Sequence, residues 1–172
     1  MIRPYRTAVK ALCSFIAVLL ALPVMPSRAA VATEGVCGDD LYWRYDKNVL
    51  TISGTGDMYD FVQKSSQNRP NEAPWRMLNT SVARVRIEEG VTGIGEYAFY
   101  NFAPLAEIEF PENSLKRIGK YAFSGCQYLR TVRFPDSLES VGTGAFSKCR
   151  ALETADFGSS PASVAPNMFA GD

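Results

Sequence analysis

Three segments of this chain are near copies of one another: IGEYAFYNF (Ile94–Phe102), IGKYAFSGC (Ile118–Cys126) and VGTGAFSKC (Val141–Cys149). Aligned on the central phenylalanine, they give Phe99, Phe123, Phe146 and, past the third copy, Phe169, at spacings of 24, 23 and 23 residues. A second thread, Val85, Ile108, Val132 and Ala155, runs at 23, 24 and 23. Both longer intervals contain Pro111 to Ile118, so one inserted residue near Glu112 or Asn113 accounts for both. The chain therefore holds four copies of a 23-residue unit, too short to enclose a core alone. Such units bury their apolar faces by stacking on one another, like position over like.

Within a copy, Val132 and Phe134 alternate with Thr131 and Arg133, the period of a half-buried strand. Pro135 ends it, since proline has no N–H to give to a ladder. A second short apolar stretch, Leu138 to Val141, runs into Gly142, with Gly95 and Gly119 at the matching places. Glycine there suggests a turn of unusual backbone conformation. The fold expected is a repeat solenoid with a parallel β-sheet and short helical or irregular turns. Its Ala-Phe phenylalanines form a core ladder of four rings, one per coil.

Upstream, Leu41, Trp43 and Tyr45 alternate, Asp46-Lys47-Asn48 can turn, and Val49 to Ser53 offers a second strand. This predicts a β-hairpin capping the N-terminal end of the stack. Ser65 to Pro74 reads as a loop, and Trp75, Met77 and Leu78 as a short helix leading into the first copy. The domain boundaries read as a signal peptide over 1–32, a capping segment over 33–81 and repeats over 82–172. Arg3, Arg6 and Lys10 precede an apolar run from Ala11 to Met25 and small-residue triplets near Ala29 and Ala32, the order of a secretory leader. The apolar run is too short for a spanning helix, so export without stable membrane insertion is expected. None of the 18 acidic residues and four of the 18 basic ones lie in the first 32 positions, leaving a net charge of −4. A mildly acidic remainder offers no electrostatic footprint for nucleic acid.

The pattern LxxVxFP, then Leu, then IGxxAFxxCxxL, is similar to the BspA-type leucine-rich repeats over Val82 to Asp172. Cys37 to Phe61 followed by Ala73-Pro74-Trp75 resembles the segment that often precedes these repeats in secreted members. The family is common in surface and secreted proteins of bacteria and some parasitic protists, and the resemblance implies adhesion. The fourth copy departs from the pattern: Gly158 stands where two copies have proline, Ala165 where three have glycine and Met168 where three have alanine. With Asp172 following its phenylalanine so closely, the sequence is read as a fragment of a longer array.

The chain contains no histidine, which removes Ser–His–Asp and Cys–His nucleophile arrangements and most zinc sites. GIGEYA (Gly93–Ala98) fits a loose dinucleotide fingerprint, but its first glycine becomes Arg117 and Ser140 in the sister copies and no βαβ unit surrounds it. Carboxylate pairs Asp39/Asp40 and Glu88/Glu89 read as solvated loop charge. No enzyme activity, cofactor or metal is expected. Cys126 and Cys149 occupy equivalent places in adjacent copies, where they are close enough to bond or to sit as free apolar thiols. Asn79-Thr80-Ser81 fits a glycosylation acceptor.

If Val85, Ile108, Val132 and Ala155 point inward, their neighbours form two outward rows. One is Arg86, Glu109, Arg133 and Asp156, alternating in sign. The other is Arg84, Glu107, Thr131 and Thr154. Opposite charges side by side pin register, or the rows form a polar recognition face. The expectation is a secreted or cell-surface module binding an extracellular protein or glycan through these residues. The alternative is a structural spacer within a larger wall-associated protein.

Overall fold

The repeat period reappears as strand register. The computed structural model describes residues 31–61, 72–159, 162–165 and 167–170. The chain divides into Met1–Ala30 and Val31–Asp172, and all described residues belong to the second unit. The expected signal peptide therefore lies outside the described residues, apart from Val31 and Ala32, as does most of the expected Ser65–Pro74 loop.

Eleven strands are described: β1 (Glu34–Val36), β2 (Gly38–Asp46), β3 (Val49–Met58), β4 (Arg84–Ile87), β5 (Val91–Ile94), β6 (Glu107–Glu109), β7 (Arg117–Ile118), β8 (Thr131–Arg133), β9 (Ser140–Val141), β10 (Thr154–Asp156) and β11 (Ser163–Val164). Each repeat supplies two strands that pair in parallel with their counterparts one repeat away. Val85 faces Ile108 on β4 and β6, and Val132 faces Ala155 on β8 and β10. On the second ladder Ile94 faces Ile118, which faces Val141, which faces Val164. This is the leucine-rich-repeat type of fold, built mostly from strands and parallel sheet.

Upstream, β2 and β3 form the expected antiparallel hairpin, with Trp43 opposite Ile52 and Asp46 opposite Val49. Its turn residues Lys47 and Asn48 both have positive φ, 47° and 67°, the backbone that matches the strand twist in tight hairpins. Strand β3 is longer than the sequence suggested, running to Met58. Gly54 and Gly56 adopt φ of 112° and 98°, so one strand bends without ending. Its first half pairs with β4 and its second with β5, both in parallel. Strand β3 thus takes the place of both strands of a repeat. A 3-10 helix, Arg76–Leu78, follows. Trp75 immediately precedes it and Met77 is exposed, so only Leu78 of the helix turns inward.

Stacked aromatic rings run through the interior. Phe99 and Phe123 lie 5.0 Å apart and 12° from parallel, Phe123 and Phe146 5.2 Å and 11°. These separations match the roughly 4.8 Å between strands and suit offset ring stacking. Trp75 extends the column upstream, stacked 5.5 Å from Phe99, with its Nε1–H donating to the Ala98 carbonyl at 2.7 Å. The fourth ring departs from expectation. Phe169 is 44% exposed and tilted 42° from Phe146, because no described ring lies on its far side. Phe110, Phe134 and Phe157 form a parallel column at 6.1 and 4.4 Å.

The conserved-looking turn glycines also need a different explanation. Gly95, Gly119 and Gly142 do not have positive φ. A Cβ on Gly119 would sit 2.6 Å from the Glu96 nitrogen, and one on Gly142 2.7 Å from the Lys120 nitrogen. They are glycine because the neighbouring backbone comes too close for a side chain. The positive φ values fall two residues later, at Tyr97, Tyr121 and Gly144.

Cys37, Cys126 and Cys149 are free and buried. Burial pushes the Cys37 thiol up to about 12 and Cys126 well above its ordinary value.

Two stability measurements test this packing by urea denaturation. Phe123→Ala is expected to cost about 3–5 kcal/mol by opening the column, whereas Phe169→Ala stays within about 1 kcal/mol. Gly119→Ala is expected to cost about 1–3 kcal/mol as an overpacked contact; a neutral result would remove close approach as the reason for glycine.

Candidate binding face

The outward rows sit on β4, β6, β8 and β10, whose inward residues Val85 and Val132 are buried while Ile108 and Ala155 are half-buried against the core. Alternation along each short strand puts the polar residues on the other side, as the sequence pattern requires.

The structure brings half of the predicted residues into one network. Arg86 Nε donates to Glu109 at 2.6 Å, and Arg84 Nε donates to Glu107 at 2.8 Å while lying 3.6 Å from Glu109. The hydrogen bond and charge of Arg86 hold the Glu109 carboxyl below its usual range, and Glu109 raises Arg86 in turn. The other half behaves differently. Thr131 faces Thr154 and Arg133 faces Asp156 in register, yet among the described residues no ion pair joins Arg133 to Glu109 or to Asp156. The expected alternating-charge ladder therefore runs for one step only.

Between Glu109 and Arg133 the reason lies in the backbone. Strand β6 pairs with β4 and β8 pairs with β10, but among the described residues no pairing joins β6 to β8. The face is two short ladders with a seam between the second and third repeats. The second ladder, β5–β7–β9–β11, continues without a break across the same point.

Carboxylates one turn beyond the strands follow the same division. Glu89 accepts from the backbone N–H groups of Glu112 and Asn113, at 2.8 and 3.2 Å. Asp136 accepts from the N–H of Ser159 at 3.1 Å. Both are clamps from one repeat to the next. The equivalent bond, Asp136 N–H to the Glu112 carboxylate, does not form among the described residues. Burial alone would raise Glu89, but the N–H groups of Asn113 and Glu112 and the Ser114 hydroxyl outweigh it and hold the carboxyl low. The Ser159 hydroxyl and N–H hold Asp136 low. Glu89 is thus a structural ligand of the next turn and not simply solvated loop charge. Asp39 likewise accepts from the Tyr59 hydroxyl at 2.8 Å.

At the seam lies a cleft of about 480 Å³ between Phe110 and Phe134, rimmed by Glu112, Asn113, Arg133 and Asp136. Reasoning from the rows found Arg133 and Glu109 but missed the other members. The one signal for them was the inserted residue near Glu112 and Asn113.

Among the described residues no group of three His, Cys, Asp or Glu side chains is placed to hold a metal ion, and no helix is long and apolar enough to cross a membrane.

Stacked repeats with one inward aromatic each define a leucine-rich-repeat protein, and comparison with known proteins agrees. Residues 78–172 match the BspA type leucine-rich repeat region (6 copies). The match takes in more than half of the chain, which belongs to the BspA-type leucine-rich repeat family. Among solved structures it is similar to a leucine-rich repeat protein from Eubacterium ventriosum (21% identity, 78% of this chain and 44% of that one, TM-score 0.46). It is also similar to the T. pallidum leucine-rich repeat protein (26% identity, 73% and 57%, TM-score 0.43). A third is a leucine-rich cell surface protein from Faecalibacterium prausnitzii (21% identity, 73% and 43%, TM-score 0.38). The chain spans about half the length of the first two. No curated protein matches it in sequence.

The clamps predict an acid-sensitive fold. Glu89, Glu109 and Asp136 all have depressed values in the folded state, so their stabilisation is complete at neutral pH, above the unfolded carboxyl range. It is lost as pH falls through the folded values. The urea midpoint is expected to drop between about pH 5 and about pH 3. The triple variant Glu89→Gln, Glu109→Gln, Asp136→Asn should show a flatter profile. An unchanged slope would assign the acid response to other groups.

Proposed function

We infer that this chain is an exported, non-catalytic binding module: a solenoid whose N-terminal hairpin acts as its cap and whose strand face meets an extracellular protein or glycan. The sequence supports export, through the basic start, the apolar run and the small-residue triplets. The observation that carries the binding reading is the asymmetry of the face. Arg84, Arg86, Glu107 and Glu109 neutralise one another, while Thr131, Arg133, Thr154 and Asp156 keep polar groups out of ion pairs with their strand neighbours among the described residues. Concave strand faces of stacked repeats are the usual working surface of such proteins.

The paired half of the face also supports the second reading, a structural spacer within a larger wall-associated protein. Ion pairs that satisfy each other pin register and leave little for a partner, and exposed pairs of this kind contribute little energy.

Residues 33–172, presented to arrays of extracellular matrix proteins and of glycans, separate the two. A binding module is expected to give a saturable signal that Arg133→Glu removes with the urea midpoint unchanged. Arg86→Glu, which breaks an ion pair, is expected to lower the midpoint slightly and leave binding intact. A folded sample with no saturable binding to either array would favour the spacer.

A further inference from the structure

We propose that the seam between the second and third repeats is a binding cleft for a neutral oligosaccharide. This rests on the binding-module reading and names the place and the ligand class.

Two regular features fail together at this one step. The strand ladder stops between β6 and β8. The carboxylate clamp seen from Glu89 to Glu112 and from Asp136 to Ser159 has no member from Glu112 to Asp136 among the described residues. On the other side of the same two repeats everything holds. Arg117 faces Ser140 on β7 and β9, and Ser137 Oγ donates to the Leu115 carbonyl at 2.8 Å, as Ser114 Oγ does to Val91 at 3.0 Å. The two repeats are therefore joined at one edge and parted at the other. The cause is the extra residue: Ile108 to Ile118 spans one more position than Val85 to Ile94 or Val132 to Val141. The surplus falls between Phe110 and Ser114.

The resulting cleft of about 480 Å³ is within the range of small-ligand sites. Its floor is aromatic, with half-buried Phe110 stacked 6.1 Å from Phe134. Its rim carries the Glu112 carboxylate and the Arg133 guanidinium, together with the Asp136 carboxylate, which also accepts from Ser159, and the Asn113 amide, which also donates to Glu89. Carboxylates accept from hydroxyls and guanidinium donates to them, while the exposed part of half-buried Phe110 offers the C–H groups of a sugar an apolar contact. Glu109 also lines the cleft but is paired with Arg86, so the Glu112 and Asp136 carboxylates outnumber the one cation. That balance disfavours sialylated or uronic sugars and favours neutral ones.

The test uses residues 33–172 on an array of neutral and sialylated oligosaccharides beside an array of matrix proteins and their peptides. Two variants accompany it: deletion of Asn113, which restores the shorter turn, and the double change Glu112→Gln, Arg133→Gln, which keeps the turn and alters the rim. Folding is monitored by circular dichroism and urea midpoints. The expected result is saturable binding to neutral oligosaccharides, weakened about tenfold or more, roughly one strong hydrogen bond, by the double change and by the deletion if it folds. Met77→Ala, at an exposed side chain outside the cleft and the strand face, should not alter it. Sugar binding that survives the double change, binding only to sialylated sugars, or binding only to proteins and peptides would each overturn the cleft while leaving the module. No binding to either array would overturn both.

Discussion

Everything in this molecule depends on one distance, the spacing between hydrogen-bonded strands. Roughly 4.8 Å separates neighbouring strands in any sheet, and here two strand ladders and a column of rings must all advance by that amount per repeat. Phenylalanine suits the task because flat rings in offset stacking tolerate a separation of about 5 Å. The observed 5.0 and 5.2 Å between Phe99, Phe123 and Phe146 show the interior following the backbone. Trp75 matters for the same reason. It lies 24 positions before Phe99 and gives the first ring a partner, although no Ala-Phe motif surrounds it.

A common spacing leaves an inserted residue little room. Were the extra residue of the second repeat absorbed in the interior, the rings would part, and cavities there are expensive. Were it absorbed in β5–β7–β9–β11, a ladder between buried Ile94, Ile118 and Val141 would be cut. It falls instead in the turn after β6, where the groups released face water and lose little. The electrostatics follow from this geometry. Arg86 reaches Glu109 across laddered β4 and β6, and no ladder brings Arg133 beside Glu109, although a ladder alone does not make a pair, as Arg133 and Asp156 show.

Much of the fold was legible because it repeats. A period read four times sets the strand positions, the inward rows and the ring column, and Val85 through Val132 lie where alternation puts them. What could not be read belongs to single positions. The glycines at 95, 119 and 142 look like turn glycines, but sequence does not distinguish an unusual φ from a backbone passing too close. Phe169 keeps the phenylalanine of the motif, but Ala165 and Met168 replace the glycine and alanine that precede it in the other copies. The outward rows were placed correctly, yet pairing along them was inferred from a uniform ladder. The insertion that breaks the ladder was visible in the spacing, while its consequence required knowing which of two sheets would yield.

A repeat array has a particular difficulty in recognising anything. Where repeats are alike, each presents the same surface, and a ligand that fits one fits the next, so identical faces give no unique address. Specificity has to come from whatever interrupts the translation. In this chain the substituted outward residues do so weakly, since half of them cancel in ion pairs. The seam interrupts it in the backbone as well, for there the strand ladder stops and the carboxylate clamp of the neighbouring steps is missing among the described residues. The residue that spoils the period is the informative one for the strand face, because it breaks the ladder at one step while the second ladder runs on.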